Sequence, residues 1–366
     1  MPISKVSQAG LSSGAQFNTF KNRIINGAMV IDQRNAGAAV TADGTYPVDR
    51  FVIRAVGTDE LVFSAQQDSS APAGFVESLK VTVTTAETSF TTTEQFVVRQ
   101  LIEGNNISDL AWGTANAATV TLSFWVRSSL TGTFSGALLN SALDRSYPFT
   151  YAISAANTWE QKSVTIAGDT SGTWLITNEI GISVNFALGI GPDRLGTANA
   201  WNSNNTTGAT GMVQLGQTTG ATFYITGVQL EKGSTATNFD VRPYTTELQL
   251  CQRYYYRITA QIPGDYTIAT TTTAISTTQT FTITNFPVSM RTRPTALEQS
   301  GTVSDYVVVR CGSATFVNCS AVPSFSQAGL NSAMSIFTVA SGLTNGAAGL
   351  VYGNTTNAYL GWSAEL

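Results

Sequence analysis

Histidine is absent from all 366 residues. That excludes imidazole acid–base catalysis, the Ser-His-Asp triad and ordinary zinc-hydrolase centres, which need a group that titrates near neutrality or binds zinc through nitrogen. Charge is scarce too: Asp, Glu, Lys and Arg together make up 11% of the chain, against about a quarter in an ordinary soluble domain. The net charge of -4 comes with no Lys/Arg-rich run, so there is no electrostatic footprint for nucleic acid or an anionic membrane. No apolar run reaches bilayer length, which argues against membrane insertion. Met1-Pro2-Ile3-Ser4-Lys5 has no hydrophobic signal core, and the expectation is synthesis in a cytosol without the standard secretion route. No glycine-rich phosphate loop precedes a helix. The expectation is no cofactor and no bound metal, with calcium on an Asp-lined loop left open.

Cysteine is also sparse. Cys251, Cys311 and Cys319 match no metal-ligand spacing, and an odd count argues against a complete disulfide framework. A Cys311–Cys319 bridge across a hairpin is geometrically open. Buried reduced thiols acting as small hydrophobes suit a cytosolically folded chain better.

What the chain does have is Gly, Ser, Thr and β-branched residues at short intervals, so hydroxyls and amides rather than charges cover its surface. Its length allows two to three domains with a sizeable core. Short strands fall near 61–66, 77–84, 96–102, 118–128, 158–167, 179–186 and 222–231, with earlier ones expected in 22–34 and 46–53. Asn26-Gly27 reads as a turn between apolar runs. Strands so spaced, with no helical period between them, predict an all-β fold: a jelly-roll β-sandwich over 22–244. An all-β, low-charge chain without an export signal is expected to leave its cell inside a particle.

Within the strand around 120–128, Val120, Leu122, Phe124 and Val126 share one face and must be core. Thr121, Ser123, Trp125 and Arg127 share the other. Trp125 and Arg127 on an outward face are a candidate sugar platform, although a Trp there is more often covered by a loop or a neighbouring subunit. Between 192 and 220 a Gly-, Asn- and Thr-rich stretch reads as a long loop, in which Trp201, Asn202 and Asn204 are candidate ligand contacts. Asn204-Asn205-Thr206-Thr207 matches glycosylation acceptors only formally, given no secretion. Asp144, Glu160, Asp169, Glu179 and Asp193 are the acids a glycosidase reading would use, yet nothing in their spacing pairs two of them, and solvated loop acids are the commoner case.

The stretch from Phe223 to Tyr256 divides the chain. A closing strand stops at Lys232-Gly233-Ser234, an extended crossing follows, and Thr245 or Thr246 can cap a short helix with Leu248, Cys251 and Tyr255 on one face. We read 245–257 as a helical joint between two β-domains, buried rather than surface-running because Leu, Cys and three tyrosines are costly to leave in water. Residues 1–21, polar and Gly/Ser-bearing, read as an N-terminal attachment arm or a disordered terminus. Residues 258–366 read as a smaller C-terminal β-domain, threonine-dominated, with Phe281, Ile283 and Asn285 alternating against Thr280, Thr282 and Thr284. Its thin apolar content predicts burial against other copies of itself, with Tyr254, Tyr255 and Tyr256 at or near that interface.

Asn22-Arg23-Ile24-Ile25-Asn26-Gly27, Ile31-Asp32-Gln33-Arg34 and Val48-Asp49-Arg50-Phe51 together resemble the opening of a large group of bacteriophage virion proteins, the tail-fibre or minor tail proteins. Val228-Gln229-Leu230-Glu231-Lys232-Gly233, Cys251-Gln252-Arg253-Tyr254-Tyr255 and the terminal Gly361-Trp362-Ser363-Ala364-Glu365-Leu366 are similar to later signatures of the same group. Thr121-Leu122-Ser123-Phe124-Trp125-Val126-Arg127 looks like the central strand of carbohydrate-binding jelly rolls. The resemblance implies a structural component of the phage particle, usually a homotrimer, that meets other virion proteins through its N-terminal arm. On this reading it is a tail fibre or receptor-binding protein for host cell-surface polysaccharide. A capsid-decorating, head-fibre or connector protein without a ligand is the alternative, and a polysaccharide depolymerase a distant third.

Overall fold

The computed structural model describes residues 20–311 and 315–366. The chain divides into two compact units, one ending at Tyr244 and the other beginning at Thr245. The expected attachment arm falls almost wholly outside the described residues.

The first unit contains strands β1 (Val52–Val56), β2 (Val62–Asp68), β3 (Ser78–Thr85), β4 (Gln95–Glu103), β5 (Val120–Ser128), β6 (Gly132–Leu139), β7 (Ser146–Ile153), β8 (Glu160–Ile166), β9 (Ile180–Ile190), the short pair β10 (Leu195–Gly196) and β11 (Gly208–Ala209), and β12 (Thr222–Lys232). They form two five-stranded antiparallel sheets, ordered β1-β4-β9-β6-β7 and β2-β3-β12-β5-β8. The all-β sandwich is as expected. Val120, Leu122, Phe124 and Val126 are all fully buried. Phe124 of the second sheet meets Phe186 and Tyr151 of the first, at 5.0 and 4.9 Å between ring centroids. The period-two alternation of β5 thus becomes one side of a core shared by both sheets.

β6 and β7 are not apparent in the sequence, and both carry residues that usually argue against a strand. Pro148 is tolerated because β7 is an edge strand, where one row of donors has no ladder to complete. Gly136 is required by crowding: a Cβ there would lie 2.2 Å from the Asn185 carbonyl oxygen and 2.5 Å from the Phe149 ring.

Two expected strands are corrected. Residues 22–34 form no strand, and in the 46–53 region β1 begins only at Val52. The Asn-rich opening works instead as a backbone clasp. Asn22 spans β12, donating from Nδ2 to the Val228 carbonyl (3.0 Å) and accepting at Oδ1 from the Leu230 N–H (3.0 Å). Asn26, at φ 60°, donates to the carbonyls of Ile31 (2.8 Å) and Asp49 (2.9 Å) and accepts from the Ile31 N–H. Gly27 lies so close to β12 that a Cβ would sit 2.1 Å from the Val228 oxygen. The Asn-Gly pair does form a turn, the Met29 N–H donating to the Asn26 carbonyl at 2.9 Å, and that turn sets the backbone close against β12 instead of joining two strands.

The second unit opens with α1 (Tyr244–Gln252), then β13 (Tyr255–Thr259), β14 (Asp265–Ala274), β15 (Gln279–Asn285), β16 (Glu298–Gln299), β17 (Tyr306–Arg310), β18 (Thr315–Asn318), β19 (Ser324–Ala328), β20 (Ser332–Thr338), β21 (Ala348–Gly353) and β22 (Tyr359–Ser363). A three-stranded sheet, β13-β22-β16, accompanies a seven-stranded one, β18-β17-β21-β14-β15-β20-β19. Tyr255 does not extend the helical face with Leu248 and Cys251: the helix stops at Gln252 and Tyr255 starts β13, paired with Ser363. Tyr254 and Tyr255 are 0% and 1% exposed. Tyr256 stacks on Trp362 at 6.2 Å. Tyr254 and Tyr255 are core and Tyr256 is part-exposed, so of the three side chains expected at or near an oligomer interface Tyr256 is the one with surface to offer.

On β15 the hydroxyl face is the covered one, and the apolar face, expected to lack cover from its own domain, is the open one. Thr280 and Thr282 are each 1% exposed, while Ile283, on the opposite face, is 46% exposed. The buried hydroxyls are accommodated by local hydrogen bonds, Thr280 with Thr272 on β14 and Thr282 with the Thr271 carbonyl.

Candidate functional site

The register of the second sandwich sheet sets one row of side chains across four strands: Gln66 opposite Lys80, Lys80 opposite Tyr224, and Tyr224 opposite Arg127. Leu79, Val81, Phe223, Ile225 and Val126 beside them are core, so the row lies on the outer face. The Arg127 guanidinium lies 4.8 Å from the Tyr224 ring centroid, and the Lys80 ammonium approaches the same ring at 5.6 Å. Trp159 meets Tyr224 edge-on at 6.1 Å. Arg127 Nη1 donates to Ser70 Oγ at 2.9 Å, and Lys80 pairs with Asp68 at 3.4 Å. Burial opposes the Lys80 charge, but Tyr224 and Asp68 outweigh it and raise its pKa. The Glu77 carboxyl is raised by burial and then by the negative charge of Asp68. Aromatic edges, two fixed cations, carboxylates and the Gln66 amide thus converge on one patch. Such a patch can pack against the C–H face of a sugar ring and bond its hydroxyls from both donors and acceptors.

Trp125 lies on this same face, paired with Thr226 and Gln161, but it is half-buried. Gly227, at φ 61°, brings the backbone so close that a Cβ would lie 2.7 Å from the Phe75 ring and 3.1 Å from the Trp125 ring. Phe75 in turn meets Phe239 at 5.1 Å. Phe239 belongs to the extended crossing, which runs back along β12: the Thr237 and Asp240 N–H groups donate to the Glu231 and Gln229 side chains at 2.9 and 2.8 Å. Gln66, Lys80, Arg127, Trp159 and Trp125 are all part-exposed on this face, whereas Tyr224, with the two cations against its ring, is itself only 8% exposed. Lys80, Trp159 and Tyr224 are not singled out by the sequence. Strand parity puts Lys80 and Tyr224 outward, but which strands lie side by side is decided only by the fold.

The other candidate residues lie apart from this face. Trp201 is not an exposed loop tip. It joins Trp112 and Trp174 in a three-ring cluster with centroids 4.7 to 5.5 Å apart, and its indole N–H donates to the Ala167 carbonyl at 2.9 Å. Asn202 spends its side chain on the carbonyls of Ala200 and Thr197 and bridges Ser146 through its backbone. Asn204 is exposed, and its carbonyl accepts from Ser146 Oγ at 2.7 Å. The long 192–220 loop is thus tied down by the very residues expected to face a ligand.

Of the five acids, Asp144 and Asp169 both act on one guanidinium, that of Arg145. Asp169 is gripped by Arg145, and Asp144 accepts from Asn140 at 2.6 Å. Glu160 accepts from Lys162 and from the Ser154 and Ala155 N–H groups, which hold its pKa below the usual range, Lys162 contributing most. Glu179 and Asp193 are exposed. Among the described residues no cluster of three or more His, Cys, Asp or Glu is placed to hold a metal.

No family model matches the chain, and no curated protein matches it. Among solved structures it is similar to the enzymatically active domain of tailspike protein 4 from bacteriophage CBA120 at 13% identity and a TM-score of 0.33, over 58% of this chain but 22% of that one. A protein of Bacteroides thetaiotaomicron described as sugar-binding matches at 13% identity and 0.32, over 58% of this chain and all of its own. A family 11 carbohydrate-binding module of a Clostridium thermocellum cellulosomal cellulase matches at 13% and 0.27, over 56% of this chain and 100% of the module. Likenesses of that size carry no weight for what this chain binds.

Proposed function

We propose that the protein is a bacteriophage virion component, a trimeric tail fibre or receptor-binding protein that adheres to host-surface glycan through its first unit. The observation that carries the adhesive part is the outward row Gln66–Lys80–Tyr224–Arg127 with Trp159 beside it. The phage assignment is supported by the sequence resemblance, whose opening motif has a physical role here as the Asn22 and Asn26 clasp on β12. Association into a homotrimer is supported by the outer face of the seven-stranded sheet. On neighbouring strands Phe281 faces Ile336 and Ile283 faces Met334, part-exposed, with Thr273 and Gln327 alongside and no charged side chain among them. An uncharged apolar face can meet copies of itself without setting like charges together. No catalysis enters the proposal: Asp144 and Asp169, the candidate acids that share a neighbour, are both engaged with Arg145, and Asp169 is held by it through two hydrogen bonds.

The burial of Tyr224 and the partial burial of Trp125 favour the second reading, a capsid-decorating or connector protein with no ligand. An array of bacterial surface polysaccharides probed with the full chain separates the two. Adhesion predicts retention on a subset of glycans that falls about tenfold in Trp159→Ala and Arg127→Met, the weight of one stacking or charge-assisted contact. Retention on none, or retention that both variants leave unchanged, would sink the adhesive reading of this face.

A further inference from the structure

The opposite sheet of the sandwich carries a second polar centre. Across β1, β4 and β9, Val52, Arg99 and Asn185 stand in one row. Phe96, Val98 and Ile102 point into the core, so Arg99 points outward. Its Nε is buried with no hydrogen-bond acceptor among the described residues, and Arg99 forms no salt bridge there. Two groups favour its charge, Tyr46 first and then Asp43, and the carboxylate is already engaged: Asp43 Oδ1 accepts from Arg54 Nε at 2.9 Å and from the Ala55 N–H at 2.8 Å. Two further guanidinium groups act on Arg99 electrostatically, those of Arg54 and Arg194. Arg54 is two residues along β1 from the partner of Arg99, and Arg194 is anchored by its Nε to the Thr93 carbonyl at 2.7 Å. Burial first, then the Arg54 charge, lowers the Arg99 pKa to about 10. A second orphan lies on the loop that Arg194 holds: Thr207, whose N–H donates to the Arg194 carbonyl at 2.8 Å, has a buried Oγ1 with no hydrogen-bond partner among the described residues.

Two guanidinium groups beside a third that lacks an acceptor at Nε make an unfavourable arrangement by themselves, because the desolvated donor forfeits its water and the like charges repel. An oxyanion reverses both terms. We propose that Arg99, flanked by Arg54 and Arg194, forms a subsite for the carboxylate of an acidic saccharide, so that the chain recognises anionic rather than neutral host glycans. The saccharide part rests on the adhesive reading above; the oxyanion part does not. A planar fork of donors suits a carboxylate bidentately, and the neighbouring Asn185 is a short polar side chain in the same row.

Calorimetry on the full chain at low ionic strength tests this with sodium glucuronate, sodium sulfate and neutral methyl glucoside. The expected result is binding of glucuronate but not of methyl glucoside, weakened by about tenfold or more in Arg99→Met, the loss of one charge-assisted hydrogen-bonded pair. Arg54→Gln, at a side chain 33% exposed, serves as the variant that leaves the fold intact and should weaken binding severalfold. Glucuronate and sulfate binding alike, both lost in Arg99→Met, with no polysaccharide retained on the array, would keep the oxyanion subsite and remove the saccharide. No heat from either anion, or equal affinity in the wild type and both variants, overturns the subsite, whatever the Trp159 face binds.

Discussion

Arg145 grips Asp169 through two parallel hydrogen bonds, Nε to Oδ2 at 2.7 Å and Nη2 to Oδ1 at 2.8 Å. The remaining Nη1 donates to Ser203 Oγ at 2.9 Å, so one fork ties the 192–220 loop to the end of the sandwich. Asp169 is buried, and its Oδ1 also accepts from the Ser171 N–H. Arg145→Met should therefore cost about 3 kcal/mol, because it leaves a buried carboxylate unpaired. Adding Asp169→Asn should recover part of the loss. Urea unfolding followed by tryptophan fluorescence measures both, and a loss below about 0.5 kcal/mol would show that water replaces the guanidinium.

The tryptophan cluster at the same end should behave as structure. Trp201→Ala removes a ring packed against Trp112, Trp174 and Tyr147, and is expected to destabilise the first unit by about 3 kcal/mol with glycan retention unchanged in the folded fraction. Trp159→Ala is expected to do the opposite, weakening retention with little change in the unfolding midpoint. Retention lost in Trp201→Ala at full stability would return the 192–220 loop to the binding surface.

The cysteines give a chemical readout. Cys251 and Cys319 are buried and Cys311 is exposed, all as free thiols, so the expectation of three buried thiols is corrected for Cys311. Burial pushes the Cys319 thiol up to about 12, which keeps it protonated and unreactive at pH 8. Titration of the native protein with a thiol reagent at that pH should label one cysteine, and denatured protein three. Two rapid labels in the native state would mean that the β18 side of the second unit opens readily.

Ile283→Asp or Met334→Asp should break self-association through the seven-stranded sheet without unfolding the unit, since both side chains are on its outer face. Each buries a charge that three copies would bring close together. Sedimentation is expected to show a monomer for the variant and a trimer for the wild type. A trimer that survives both changes would move the interface elsewhere.

Acid should weaken the turn between β7 and β8. Glu160 has its folded pKa lowered, by Lys162 first and then by the Ala155 N–H, so its contribution is complete above the ordinary glutamate range and disappears as pH falls through the lowered folded value. Glu160→Gln should flatten that part of the stability profile, and an unchanged profile would assign the shift no role in folding.

By itself the sequence determined the fold class, the main strands and the core face of β5, because period-two alternation and frequent turn residues are local properties that survive any choice of strand partners. It determined the missing chemistry as well, since a chain without histidine cannot gain one by folding. The break near 244 follows the same logic, as a helical period interrupts strands there. Tertiary structure alone decided which polar residues meet. Lys80, Tyr224 and Arg127 are far apart in the chain and share a row only because β3, β12 and β5 are adjacent. Trp201 reads as an exposed loop residue until Trp112 and Trp174 are brought against it. β6 and β7 were hidden because Gly136 and Pro148 are strand breakers until a close neighbour demands the one and an edge permits the other. That the hydroxyl face of β15 is packed against its own unit was beyond reach for a related reason. Alternation tells that Thr282 and Ile283 point opposite ways, but which side has protein over it is a property of the whole sheet.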